Sequence, residues 1–242
     1  MRIVKDTRGQ FIIIAVMLVS IMMVSIAATM YNVATYYEYE NWEEYITLVD
    51  HIKLNTIRLV EISLANYTAS EPTTSDILDG NLIKWQMDSR QAYIDKGVAL
   101  TYTLLNGSYT ISNVTANFSK GLASQWNETF SFSAANSTCY LDLASIGLEG
   151  YQFVTEAFLS LKVLNVTSDG IAVSVKAENG MPVTSLDEYS FEVSNASIIS
   201  VSSHYDINEL FVYIIECDTN IAQGTTIEVC DSRGIRVVSK YS

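Results

Sequence analysis

Histidine is nearly absent: the 242 residues hold only His51 and His204, and cysteine stops at three. A His-rich or Cys-rich metal centre and a disulfide-dense miniprotein are thereby excluded. Two prolines and eleven glycines exclude collagen-like and Pro-rich architectures. Charge is sparse, at 17% of residues, and lopsided, with 14 Lys and Arg against 27 Asp and Glu and a net charge of −13. Because 49% of the residues are hydrophobic, that imbalance does not describe a disordered acidic chain. It does argue against nucleic acid and anionic lipid headgroups as partners. No H-E-x-x-H, no G-x-S-x-G and no Gly-rich phosphate loop occurs, and neither histidine has a Ser or Cys beside it in a nucleophile context. No catalytic residue, cofactor or metal is expected. Asp206, Asn208 and Glu209 share one loop and carry oxygens of the kind Ca²⁺ takes, but they read as an ordinary polar turn.

What is present begins at the N-terminus. Residues 9–37 contain no charge, and residues 11–31, FIIIAVMLVSIMMVSIAATMY, form an apolar run of 21. A helix of that length covers a hydrocarbon core of about 30 Å. Only Ser20, Ser25 and Thr29 interrupt it, so it predicts a membrane helix, set at residues 10–37, that contacts lipid. Arg2, Lys5 and Arg8 precede it, and Glu38, Glu40, Glu43 and Glu44 follow. The excess of positive charge on the first flank places the N-terminus in the cytoplasm and the bulk of the chain outside. Tyr31, Tyr36, Tyr37, Tyr39, Trp42 and Tyr45 fall where an outer interfacial belt would lie. The short basic leader, residues 1–9, is too small to fold into a cytoplasmic signalling domain.

The run Lys5-Asp6-Thr7-Arg8-Gly9-Gln10-Phe11 resembles the class III signal peptide of archaeal type IV pilins and archaellins. The resemblance covers about the first 65 residues. It implies a prepilin-type peptidase as partner, cutting between Gly9 and Gln10 and leaving the apolar stretch as the packing helix of a filament. Other copies of the chain, or related pilin-like subunits, would then be further partners. Ile14 stands at the fifth mature position, where many pilins carry Glu. Ser25-Ile26-Ala27 also has the small-x-small pattern of an ordinary signal peptidase site, although no polar region precedes it. A permanently anchored surface binding module is the alternative to the filament subunit.

Beyond the membrane segment the helical register continues. Trp42, Tyr45, Ile46, Val49, Ile52, Leu59, Val60 and Leu64 follow the i, i+3, i+4 rhythm, and no Pro or Gly intervenes between Gln10 and Ser70. This predicts a helical stalk, then a polar break at residues 68–80 and a second helix over 82–97, the whole assigned to residues 38–97. The period then changes to two. Residues 98–105, 109–118, 129–134 and 138–146 read as the strands of a β-meander over 98–150, with Asn106-Gly107 as a hairpin turn. Between residues 151 and 242, Leu159, Leu161 and Val163 alternate with Ser160 and Lys162, and Ile171, Val173 and Val175 with Ala172, Ser174 and Lys176. Asp169-Gly170 joins those strands, Asn179-Gly180 makes the next turn, and further strands fall at 189–194, 198–204, 210–217, 225–230 and 235–240. Residues 173–183 resemble the strand–turn–strand of Ig-like surface modules. The expected fold is therefore one transmembrane helix extended into a stalk, followed by a mainly antiparallel β ectodomain, an Ig-like β-sandwich.

Eight N-x-S/T sequons occur, at Asn66, Asn106, Asn113, Asn117, Asn127, Asn136, Asn165 and Asn195, where composition alone gives about three. Asn113, Thr115, Asn117 and Ser119 share one strand face, as do Asn127, Thr129, Ser131 and Ser133, so both faces read as solvated and glycan-capable. An Arg-Gly leader with external sequons and little proline points to an archaeal source. Cys139, Cys217 and Cys230 all fall on the outer side. Cys217 and Cys230, read as lying on neighbouring strands, are a candidate disulfide, with buried small hydrophobes as the alternative.

Overall fold

The computed structural model describes residues 7–69, 76–167, 170–206, 210–219 and 221–241, with side chains described for 13–33 and from 42 onward within those ranges. Two compact units partition the chain, Met1–Ile52 and Lys53–Ser242.

One helix, α1 (Thr7–Thr68, 62 residues), contributes to both units without a break. It is uninterrupted because residues 10–70 hold no Gly or Pro, and its hydroxyl side chains are satisfied by the preceding turn. Ser20, Thr29, Thr47, Ser63 and Thr68 each donate to the carbonyl four residues earlier, at 2.6–2.9 Å. Within the described residues the helix runs from Thr7, so Gly9 and Gln10 are helical. In the second unit α1 is a core element: Val60 and Leu64 are fully buried.

The second helix, α2 (Ile77–Ala92), starts five residues before the predicted 82. Gly80 is not a break. It sits in the first turn, where its N–H donates to Asp76 O at 2.9 Å. A short 3-10 turn, Ile94–Lys96, ends at Gly97.

Twelve strands follow among the described residues: β1 (Val98–Leu104), β2 (Gly107–Ile111), β3 (Val114–Phe118), β4 (Leu122–Gln125), β5 (Phe130–Leu143), β6 (Leu148–Val166), β7 (Gly170–Lys176), β8 (Phe191–Val193), β9 (Ile198–Tyr205), β10 (Phe211–Cys217), β11 (Thr226–Cys230) and β12 (Arg236–Lys240). All pairings are antiparallel. The large sheet has the order β1-β5-β6-β7-β10-β9, with β4 also on β5; β12-β11-β8 and β2-β3 form smaller sheets. One core gathers Val60 and Leu64 of α1, Leu78 and Leu82 of α2, the inward residues of β6 and β7, and Val229 and Val237 of the small sheet.

The predicted strands from 189 onward match β8 to β12 within a few residues. Three expectations are corrected. The boundary placed at 150/151 falls inside β6, which pairs with β5 from Phe130↔Lys162 to Leu143↔Leu148, so the two β segments build one sheet. Residues 129–134 and 138–146 are mostly one strand, β5, rather than two. Asn106-Gly107 is a corner between sheets, because β1 pairs with β5 while β2 pairs with β3. The tight turn is the next one, where Ser112 and Asn113 both take positive φ between Ile111 and Val114.

Candidate functional site

The feature with the clearest physical demand is the apolar stretch of α1. Ile13–Val33 is 21 residues long, apolar enough to cross a membrane, and none of it is buried within the protein. A water-facing helix presents polar residues on at least one side. Here Ile13, Val16, Met17, Leu18, Met22 and Met30 are all more than half exposed. The polar groups carry their own remedy: the Ser20 hydroxyl donates to Val16 O at 2.9 Å and Thr29 to Ser25 O at 2.8 Å. Backbone groups are satisfied by the helix itself, which is the condition for a segment in hydrocarbon. Trp42, Glu43 and Glu44 lie exposed beyond the stretch. Arg2, Lys5 and Asp6 lie outside the described residues, and so do the side chains of Arg8, Gln10, Tyr36, Tyr37, Glu38, Tyr39 and Glu40.

The sequons divide seven to one. Asn66, Asn106, Asn113, Asn117, Asn127, Asn165 and Asn195 are exposed. Asn136 is 4% exposed, and its Nδ2 donates to Glu156 Oε1 at 2.9 Å. A glycan on that nitrogen is incompatible with this packing, which removes Asn136 from the candidates. The face bearing Asn113, Thr115, Asn117 and Ser119 is exposed throughout, as expected. The second face is not: Ser131 and Ser133 are fully buried. Ser133 Oγ donates to Arg236 O at 2.7 Å and accepts from Trp126 Nε1 at 3.0 Å, while Ser131 Oγ donates to Glu128 O. β12 covers that face and turns predicted surface into a hydrogen-bonded interior.

The cysteines are all free. Cys217 ends β10 and Cys230 ends β11, strands in different sheets, so they are not ladder neighbours and the candidate disulfide is not formed. Burial pushes the Cys139 thiol up to about 11, only partly opposed by Ser137, and burial also raises Cys217 and Cys230. These are protonated, unreactive thiols at neutral pH. His51 and His204 are both exposed, His51 on α1 and His204 on β9. Among the described residues no group of three or more His, Cys, Asp or Glu is placed to hold a metal. Asn208 and Glu209 lie outside those residues.

One polar centre gave no sign in the sequence. Arg233, in the turn between β11 and β12, donates through Nη1 to Glu178 Oε1 at 2.5 Å, through Nε to Asp231 Oδ2 at 2.8 Å and through Nη2 to Phe158 O at 3.1 Å. Glu61 of α1 lies 3.4 Å from Nη1. Asp231 is buried, and its Oδ1 accepts from the N–H of Arg233 and of Ile235, both at 3.0 Å. Burial works against the guanidinium charge, but hydrogen bonds and attraction from Glu178 and Asp231 more than offset it, so the proton is held more tightly than in an ordinary arginine. With every donor aimed at protein, the group ties α1, β6, the turn after β7 and the β11–β12 turn together. That is a structural clasp, with Tyr102 making a smaller one: its hydroxyl donates to Asp79 at 2.7 Å, joining β1 to α2. Burial, then Asp79, raises that phenol to about 12.

Compared with known protein families, curated proteins and solved structures, the chain matches none.

Proposed function

We propose that the chain is a membrane-anchored extracellular structural protein, a filament subunit similar to archaeal type IV pilins. The observation that carries this reading is the 62-residue helix α1, which contains a predominantly apolar stretch of 21 residues with none of it buried, and whose Val60 and Leu64 lie in the core of a β unit. Such a helix supplies a lipid-soluble segment to the chain that carries the β unit. The same segment can leave the bilayer for a bundle of identical helices once no strongly hydrated Arg or Lys must be drawn through hydrocarbon. Removal of residues 1–9 by a prepilin-type peptidase at Gly9–Gln10 meets that condition. The N-terminus is assigned to the cytoplasm and the β unit to the outside, where the seven exposed sequons would meet a glycosylation machinery. The antiparallel ladders β6-β7-β10-β9 and β12-β11-β8, which share one core, support an Ig-like reading of the C-terminal half.

The N-terminus of the membrane-associated chain tests the proposal. Mass spectrometry of native membranes is expected to find Gln10 first, and Gly9→Leu is expected to leave full-length chain in the membrane without filaments. A dominant form that keeps Met1 contradicts the filament reading and leaves the permanently anchored binding module.

A further inference from the structure

Two lysines of this acidic chain come together on one face of its large sheet. On the face of the large sheet opposite the main core, β6 and β7 set four side chains in a square. Ser160 pairs with Lys176, and Lys162 pairs with Ser174. The register therefore puts the two lysines on one diagonal and the two serines on the other. Diagonal neighbours on a sheet lie roughly 7–8 Å apart, close enough for two four-carbon stems to bring their ammonium groups to one ligand. Among the described residues neither lysine takes part in an ion pair.

This square floors a groove of about 570 Å³, within the usual range for small-molecule sites. Phe130 and Phe158 give it an apolar wall, and the tip of the β2–β3 hairpin, with Asn113, forms the rim. No Asp or Glu lines it among the described residues. An independent observation points into the same groove. Ser174 is 3% exposed, and its Oγ is the only buried side-chain polar atom among the described residues that lacks a hydrogen-bond partner. Buried hydroxyls are normally satisfied, so one left open beneath two unpaired cations marks a place prepared for an acceptor.

We propose that this groove binds an organic anion, an apolar ring-bearing body carrying one carboxylate or phosphate. The rings of Phe130 and Phe158 pack the body, Lys162 and Lys176 hold the charge, and Ser174 Oγ donates to an anionic oxygen. The site is independent of whether the chain forms filaments.

The test uses the full chain in nanodiscs of zwitterionic lipid, with three water-soluble probes: 3-phenylpropionate, phenyl phosphate and uncharged 3-phenylpropionamide. Saturation-transfer NMR and calorimetry are expected to show at least one anion binding about tenfold or more tightly than the amide, the preference shrinking as salt rises. Whichever anion binds more tightly identifies the charged group. The double variant Lys162→Met/Lys176→Met keeps the apolar stems and should reduce anion binding to the level of the amide. Lys84→Met, on the exposed side of α2, should leave it unchanged. Ser174→Ala should weaken the anion several-fold without lowering the thermal midpoint, which separates a ligand contact from a folding defect. Equal affinity for anion and amide, undiminished binding in the double lysine variant, or no binding of any probe at millimolar concentration would overturn the proposal.

Discussion

Residues 13–33 and strand β6 are both rich in aliphatic side chains, and the fold treats them in opposite ways. Met22 and Met30 are 64% and 69% exposed, whereas Leu159 and Leu161 are fully buried. The difference lies in spacing. β6 interleaves Leu159, Leu161 and Val163 with Ser160 and Lys162, so one face suits a core and the other suits water or a ligand. The helix segment has no such second face. The 21 residues of that stretch lack the two-faced rhythm of β6, and they are apolar enough to cross a membrane.

The largest expected effect breaks the comparison at its buried end. Leu161→Ala should destabilise the β unit by roughly 3–4 kcal/mol through the cavity it leaves, measured by denaturant unfolding of the detergent-solubilised chain. Ile21→Ala, an equal loss of apolar surface, should move the same transition by less than about 0.5 kcal/mol. Similar effects at both positions would mean that residues 13–33 pack against protein.

Next comes the clasp. Arg233→Met keeps much of the stem but strands the buried Asp231 carboxylate together with Glu178. The expected cost is about 3 kcal/mol. Because the guanidinium reaches α1, β6 and two turns, hydrogen exchange should rise in all of these segments rather than only around residue 233. A rise confined to the β11–β12 turn would show that the clasp is local.

The smallest effect concerns alkaline pH. The ordinary cysteine value is 9.0, and burial lifts Cys139 to about 11 in the native state. A native pKa above the unfolded one means the folded chain holds the proton longer. That contribution to stability is complete below pH 9 and is lost as pH climbs through about 11. Cys217 and Cys230 act in the same direction. The unfolding midpoint should therefore fall between these pH values, and iodoacetamide at pH 8 should modify Cys139 only in unfolded chains. Rapid labelling of folded protein would contradict the burial assigned to it.

Much of this organisation was legible in the sequence because it is local. The apolar run, the absence of breakers and the strict alternation at 159–163 and 171–175 are short-range facts, and the corresponding helix and strands stand where they were expected. What was missed depends on distant partners. Ser131 and Ser133 looked solvated because the cover for that face is β12, and Ser133 bonds to a carbonyl 103 residues away. Arg233 finds Glu178 at 55 residues' separation and Glu61 at 172. Asn136 carries a sequon, yet its position in mid-β5 buries it. The groove lay between these extremes. Ser160-Leu161-Lys162 and Ser174-Val175-Lys176 repeat one pattern on two strands joined by a predicted turn, and only the register between them, Ser160↔Lys176, turns that repeat into a square.

The central claim is that residues 13–33 meet lipid while the β unit meets water. Two single-cysteine chains, with Cys139, Cys217 and Cys230 replaced by Ala, compare the regions directly: Val19→Cys in the apolar stretch and Asn195→Cys on the β unit, both at positions exposed in the structure. A membrane-impermeant maleimide applied to native membranes, broken so that both sides are accessible, should label position 195 quickly. Position 19 should remain unlabelled until detergent and denaturant are added. Equally fast labelling at both positions would place the apolar helix in water and contradict the account.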